Sequence, residues 1–233
     1  MDILEVNNLT MRYKNHLALS NVSFSLQKGK ILGVIGPNGC GKTTLLKIIA
    51  NLIKVYSGEV YIDGTEPSVE TRNDIAFMPD VNILRKNMKV TQAVDFFDTF
   101  FEDFDSKKAY ELLEFMDINP AKKIEELSKG MTEKMNLSLV LARNAKIYVI
   151  DEPLGGVDAI ARDKILEAII DYAGGEKTMI ITTQLVRDIE SIFDEVLFLS
   201  NGEVLLKEAC DDLRDKYKDS IEGVYKQIYG GRR

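Results

Sequence analysis

The segment GPNGCGKTT, Gly36 to Thr44, stands between the apolar run ILGVI and the run LLKIIA, and it constrains the chain more than any other feature. Gly36, Gly41, Lys42 and Thr43 meet the spacing G-x-x-x-x-G-K-[ST], with strand character before it and helix character after it. In such a loop glycines let backbone N–H groups turn inward around phosphate oxygens, and the helix N-terminus adds partial positive charge. Lys42 would reach the β and γ phosphates of ATP, and Thr43 would offer a hydroxyl to Mg²⁺. The expected cradle is Gly36, Pro37, Asn38, Gly39, Cys40, Gly41, Lys42, Thr43 and Thr44.

A chain of 233 residues, 45% hydrophobic, buries a full core as one large domain or a domain with an insertion. A formal charge of −7 offers no broad footprint for phosphate backbones, so no nucleic-acid partner is expected. The longest apolar runs fall short of the roughly 20 residues of a membrane-spanning helix, and MDILEVNN has no leader character, which predicts a cytoplasmic protein. Cys40 and Cys210, far apart and without partner histidines, fit neither a disulfide framework nor a zinc site and read as reduced thiols.

Alternation of apolar and polar residues in LEVNNLTM and NVSFSLQ predicts two antiparallel strands, the start of an N-terminal β-subdomain. Short strands come next at GEVYIDG and NDIAFMP, and strand character returns at KIYVIDEP, TMIITTQ and EVLFLSNGEVL. Between them, VTQAVDFFDTFFEDF and SKKAYELLEFMDI carry apolar residues at helical spacing, the second run closing at Asn119-Pro120. The expected fold is α/β: a P-loop NTPase with a mostly parallel central sheet, an N-terminal antiparallel β-subdomain and an inserted helical subdomain. Only the closing GGRR reads as frayed.

A phosphate loop needs a second carboxylate site for its metal. IYVIDE supplies one: a buried strand ending in Asp151 and Glu152. Asp151 would hold Mg²⁺ through water, and Glu152 would orient or deprotonate the attacking water.

LSKGM, Leu127 to Met131, precedes this strand and leads into a helix, TEKMNLSLVLARN. Together these segments make the chain resemble the ATP-binding cassette (ABC) family, the nucleotide-binding subunits of ABC transporters, over nearly its whole length. The resemblance implies one domain over 1–233, with a nucleotide-binding core at 1–80 and 133–233 and a helical subdomain at 81–132. It implies that Tyr13 stacks on adenine, that FMPD stands where the family has its glutamine loop, and that LGGVD, with Asp158, is the family's D-loop. It also implies a head-to-tail dimer around two ATP, in which Ser128 and Gly130 of one subunit close the site of the other. Such a dimer, of like or unlike ATP-binding subunits, drives separate transmembrane permease subunits from the cytoplasmic face of the membrane.

Three positions depart from the family pattern. Lys129 replaces the first signature glycine, and LSKGM with NPAKKIEEL upstream looks like the short bacterial ATPases that accompany ABC-2-type export permeases. Asp80 replaces the family's glutamine; shorter and charged, it can still reach Mg²⁺ through water and would, as a catalytic residue, alter how the γ-phosphate is sensed. Gln184 replaces its switch histidine and cannot carry positive charge, so hydrolysis is expected to be slow or asymmetric. His16, the lone histidine, reads as a surface residue. The cluster FFDTFFEDF, Phe96 to Phe104, reads as core of the helical insertion, with some rings free to line the groove where a permease helix docks.

The leading expectation is therefore an ATP-hydrolysing subunit of a membrane exporter. A regulatory ATP-binding subunit with weak hydrolysis, and a soluble ABC ATPase outside transport, are the alternatives.

Overall fold

The computed structural model describes residues 2–68, 71–173 and 177–230. The chain opens with a long hairpin, β1 (Asp2–Tyr13) and β2 (His16–Gln27), in which the register shift between Val6 and Leu9 spans left-handed Asn8 at φ 50°. After β3 (Ile31–Ile35) and α1 (Lys42–Ile49), β4 (Ser57–Ile62) pairs antiparallel with β1, completing a three-stranded sheet in the order β2-β1-β4.

The second sheet is built on β3. Strands β5 (Ile75–Met78), β6 (Ile147–Asp151), β7 (Thr178–Thr183) and β8 (Glu195–Ser200) run parallel to it, and β9 (Glu203–Ala209) closes the edge antiparallel to β8. The order β5-β6-β7-β3-β8-β9 places β3 between β7 and β8, with β6 one strand further out beside β7. Both faces are covered, so every position of β3, β6 and β7 is buried, and the apolar residues among them divide by a period of two. Ile147 and Val149 face the antiparallel sheet and α1, whereas Tyr148 and Ile150 face the other helices.

Those helices are α2 (Val90–Phe100), α3 (Ser106–Phe115), α4 (Lys129–Leu141), α5 (Ala159–Ala173), the short α6 (Val186–Ile189), α7 (Cys210–Tyr217) and α8 (Ile221–Gly230). α2 buries Val90, Ala93 and Val94 at helical spacing, and α3 starts where the Asp105 carboxylate accepts from Lys108 N–H at 3.0 Å. The second helical run stops earlier than Asn119-Pro120. Asp117 is left-handed at φ 55°, and Ile118 N–H folds back to Leu113 O at 2.8 Å, a C-terminal cap that ends α3 before the proline. The first run also stops early, at Phe100, because Phe101 is extended.

Segment 101–105 is stapled to the core by Arg143, which is 3% exposed. Its guanidinium donates to Asp103 Oδ1 at 2.9 and 3.0 Å, to Ile75 O at 2.7 Å and to Asn73 O at 3.1 Å, and lies 4.1 Å from the Phe101 ring centre. Removing one partner of so buried a pair costs about 3–5 kcal/mol. α4 runs unbroken across 132/133, so a division there follows sequence character rather than a break in the chain. Of the closing GGRR, residues 231–233 lie outside the described residues.

Candidate nucleotide site

Four parallel strands end along one edge of the large sheet. β3 runs into Gly36, β5 leads to Asp80, β6 ends at Asp151 and β7 at Thr183. Open α/β sheets bind ligands at this carboxyl edge, because loops leaving neighbouring strands diverge there and helix N-termini point into the gap.

The glycine loop has the shape its sequence demands. Gly41 takes φ 112° where the chain turns into α1, a conformation that disfavours any Cβ. Lys42, the first helical residue, is 6% exposed, and its ammonium donates to Gly36 O at 2.8 Å and Pro37 O at 3.3 Å. It also lies 3.4 Å from Glu152 Oε1.

Asp151 and Glu152 are held by β7. The Thr182 hydroxyl donates to Asp151 Oδ1 at 2.5 Å, and Glu152 N–H donates to Thr182 Oγ1 at 2.9 Å. Glu152 has a left-handed backbone, φ 49°, which turns its side chain toward Lys42. Its Oε2 accepts from the backbone N–H of Gln184 at 3.2 Å. Asp151 Oδ2 is buried with no hydrogen-bond partner, whereas Glu152 Oε1, also without one, faces the Lys42 ammonium. A buried carboxylate oxygen left this way suits a cation, so the donors present fit Mg²⁺. Among the described residues no group of three or more His, Cys, Asp or Glu is placed to hold a metal by itself.

Gly41, Lys42 and Glu152 line a cleft of about 290 Å³; Asp151 and Gln184 stand outside its lining. Asn38, Gly39, Gly41, Lys42, Thr43 and Thr44 of the glycine loop line it together with Asp80 and Glu152. Tyr13, 44% exposed, His16 and Ala18 complete the lining, the Ala18 carbonyl standing 2.5 Å from where a Cβ on Gly41 would be. His16 is exposed, as its sequence context suggests, but it also lines this cleft, which sequence reading missed. The signal was the hairpin itself: a turn at Lys14-Asn15 pairs Tyr13 directly with His16.

Pro37, beside the cleft, holds the Lys42 ammonium through its carbonyl, whereas Cys40 is buried beneath the loop, and burial raises its thiol pKa. Burial likewise pushes the Cys210 thiol up to about 12, so both cysteines are protonated at neutral pH. Gln184 is exposed and reaches Glu152 through its main chain.

Ser128 and Gly130 do not line this cleft. Ser128 caps α4, its hydroxyl accepting from Met131 N–H at 3.2 Å. A Cβ at Gly130 would stand 3.4 Å from Val157 and 3.8 Å from Asp158 Oδ2, so the start of α4 packs on the LGGVD loop of its own chain. Lys129 follows the same loop, its ammonium 2.5 Å from where a Cβ on Gly156 would stand. A second cleft of about 560 Å³ lies between Asp80, Lys86, Glu125, Lys129 and Glu133. Burial raises the Glu133 carboxyl to about 7, with Lys129 opposing and Asp80 adding to the rise.

The aromatic cluster divides by face. Phe97 and Phe104, 5.6 Å apart between ring centres, pack on the core, whereas Phe100 is 65% exposed and Phe96 lines an outer groove with Ile83, Leu84 and Met88.

A buried strand running into a glycine loop, with a lysine and a strand-end carboxylate meeting beside it, defines a nucleoside-triphosphate-binding α/β protein. The ABC transporter family model matches residues 19–155, and the chain belongs to that family as an ATP-binding subunit with ATPase activity. It is 30% identical over 218 residues to the ABC transporter ATP-binding protein YtrB of Bacillus subtilis, covering 92% of this chain and 75% of that one. It is 26% identical to the lantibiotic transport ATP-binding protein SrtF of Streptococcus pyogenes, covering 90% of this chain and 92% of that one. Among solved structures, the dimeric post-hydrolysis state of the ATP-binding cassette MJ0796 with ADP and Pi superposes with a TM-score of 0.80 at 25% identity, covering 88% of this chain and 98% of that one. An ATP-binding subunit of an ABC transporter reaches 0.87 at 24% identity, covering 97% and 99%.

Proposed function

We propose that this subunit binds Mg·ATP in the cleft between Tyr13 and Glu152, dimerises head to tail around two nucleotides, and uses their hydrolysis to drive separate membrane subunits of an exporter. The observation that carries the reading is the 3.4 Å approach of Lys42 Nζ to Glu152 Oε1 in the lining of the cleft. One ammonium and one carboxylate there can serve the two requirements of phosphoryl transfer, neutralising phosphate charge and positioning water.

In this reading the backbone of residues 36–44 and Lys42 hold the phosphates, and Tyr13 stacks on the base. Thr43, Asp151 and Asp80 are the residues that would hold Mg²⁺, which when bound neutralises charge on the β and γ phosphates. Glu152 aligns a water against the γ-phosphate and takes its proton, while Gln184 stands at the edge of that water site. Ser128 and Gly130, outside the cleft of their own chain, suit the opposite subunit, where a helix N-terminus offers donors to a γ-phosphate. Exposed Phe100 and the groove beside Phe96 suit a permease helix, and residues 81–132 are the subdomain that would carry it.

No helix among the described residues is long and apolar enough to cross a membrane. A cytoplasmic subunit held peripherally at the membrane by its permease fits this, and export as the direction rests on the LSKGM form. Calorimetry with Mg·ATP tests the reading. Lys42→Ala should weaken binding by at least about 1.5 kcal/mol, since a charge-assisted contact is lost, and equal affinity of variant and wild type would remove the cradle.

A further inference from the structure

The phosphate loop is held from behind by the end of the chain. Gly36, its first residue, packs so closely on β8 that a Cβ there would stand 2.3 Å from Leu199 O. That same carbonyl accepts a hydrogen bond of 2.8 Å from the Tyr229 hydroxyl on α8, whose single proton is shared with Ile35 O at 3.3 Å. Ile35 is the last residue of β3 and passes directly into Gly36. The turn between β8 and β9 adds a second tie, Gly202 N–H to Cys40 O at 2.9 Å. α8 is itself anchored: Ile221 and Val224 are fully buried, and Glu222 N–H donates to Glu190 Oε2 at 2.8 Å. The Tyr229 ring packs between Tyr225 at 4.6 Å and Phe198 at 6.3 Å.

We infer that Tyr229 is a positioning residue for the nucleotide: by bonding Leu199 O and Ile35 O it fixes the backbone from which the phosphate loop springs. The inference rests on the reading of residues 36–44 as the phosphate cradle. A carbonyl at a buried strand end needs a partner, and here one side-chain hydroxyl supplies it for two strands at the point where both meet the loop. Loop N–H groups converge on an anion with high affinity only if their geometry is set before the anion arrives, because ordering a loose loop consumes part of the binding free energy. Residues 199–229, beyond the segment matched by the family model, thus set the loop's stiffness.

Tyr229→Phe removes the hydroxyl and keeps the ring. The expected result is a rise of about fivefold in both KM for Mg·ATP and Kd for Mg·ADP, with kcat within about twofold of wild type. Amides of residues 36–44 should exchange faster with deuterium, while those of β1 and β2 keep wild-type protection. Unchanged Kd with unchanged loop exchange, or a fall in kcat alone, overturns the assignment if wild type binds Mg·ATP. Wild type that fails to bind Mg·ATP overturns the cradle reading on which it rests.

Discussion

The backbone N–H of Gln184 donates to Glu152 Oε2 at 3.2 Å. A main-chain donor aims the carboxylate whatever side chain residue 184 carries, so the amide is free to be exchanged without disturbing Glu152. Gln184→His should therefore raise kcat about tenfold, roughly 1.4 kcal/mol of transition-state stabilisation, with Kd for Mg·ATP unchanged. The gain should grow as pH falls toward about 6.5, where imidazole takes a proton and can stabilise developing charge. Steady-state rates of the two proteins between about pH 6 and 8 check this; equal rates throughout would make the neutral amide a sufficient partner.

Glu152→Gln should separate binding from turnover. The neutral amide cannot take a proton from water, yet Lys42 and the loop still hold phosphate, so hydrolysis is lost and the ATP-bound dimer accumulates. Light scattering with saturating Mg·ATP should show twice the monomer mass. Monomer alone, with and without permease, would remove the two-subunit site.

The sheet's carboxyl edge was legible because its strands carry unbroken apolar runs, ILGVI and IYVI, and because the glycine spacing dictates a phosphate-type turn at the end of the first of them. The features that stayed hidden depend on distant contacts. Nothing near Tyr229 indicates that its hydroxyl meets Ile35 O and Leu199 O at 3.3 and 2.8 Å. His16 was readable as exposed, but its place in the cleft depends on which way the Lys14-Asn15 turn closes, with Lys14 left-handed at φ 48°. Asn119-Pro120 drew attention as a helix stop, whereas the left-handed residue that ends α3 is Asp117, whose preference for that conformation is only modest. Gln184 reads naturally as a side-chain contact, and sequence cannot say that the backbone makes the bond.

As the single histidine of the chain, His16 gives one resolvable set of imidazole signals. Because it lines the cleft beside Tyr13, Mg·ATP should shift those signals and leave them saturated at the stoichiometry found by calorimetry. Signals indifferent to nucleotide would move the base to another part of the cleft.

Glu133 should make stability depend on pH. Burial raises its carboxyl from 4.5 to about 7 in the folded protein, so between those values the native state binds more protons than the unfolded one. Stability from this group is greatest below the unfolded value and declines as pH rises through the folded one. Glu133→Gln should melt at a higher temperature than wild type above pH 7, and the two curves should converge below about pH 5. Parallel melting curves across that range would show that the carboxylate is solvated.

The left-handed backbone of Glu152, φ 49°, sets two demands on this residue against each other. A non-glycine residue held there carries about 1–2 kcal/mol of conformational strain, which glycine would relieve. Glycine would also leave the Lys42 ammonium, 3.4 Å away, without its carboxylate, and removing one partner of so buried a pair costs about 3–5 kcal/mol. The ion pair outweighs the strain, so a library screened only for survival on heating should keep an acid at 152, and the lysine rather than the backbone sets what this position tolerates.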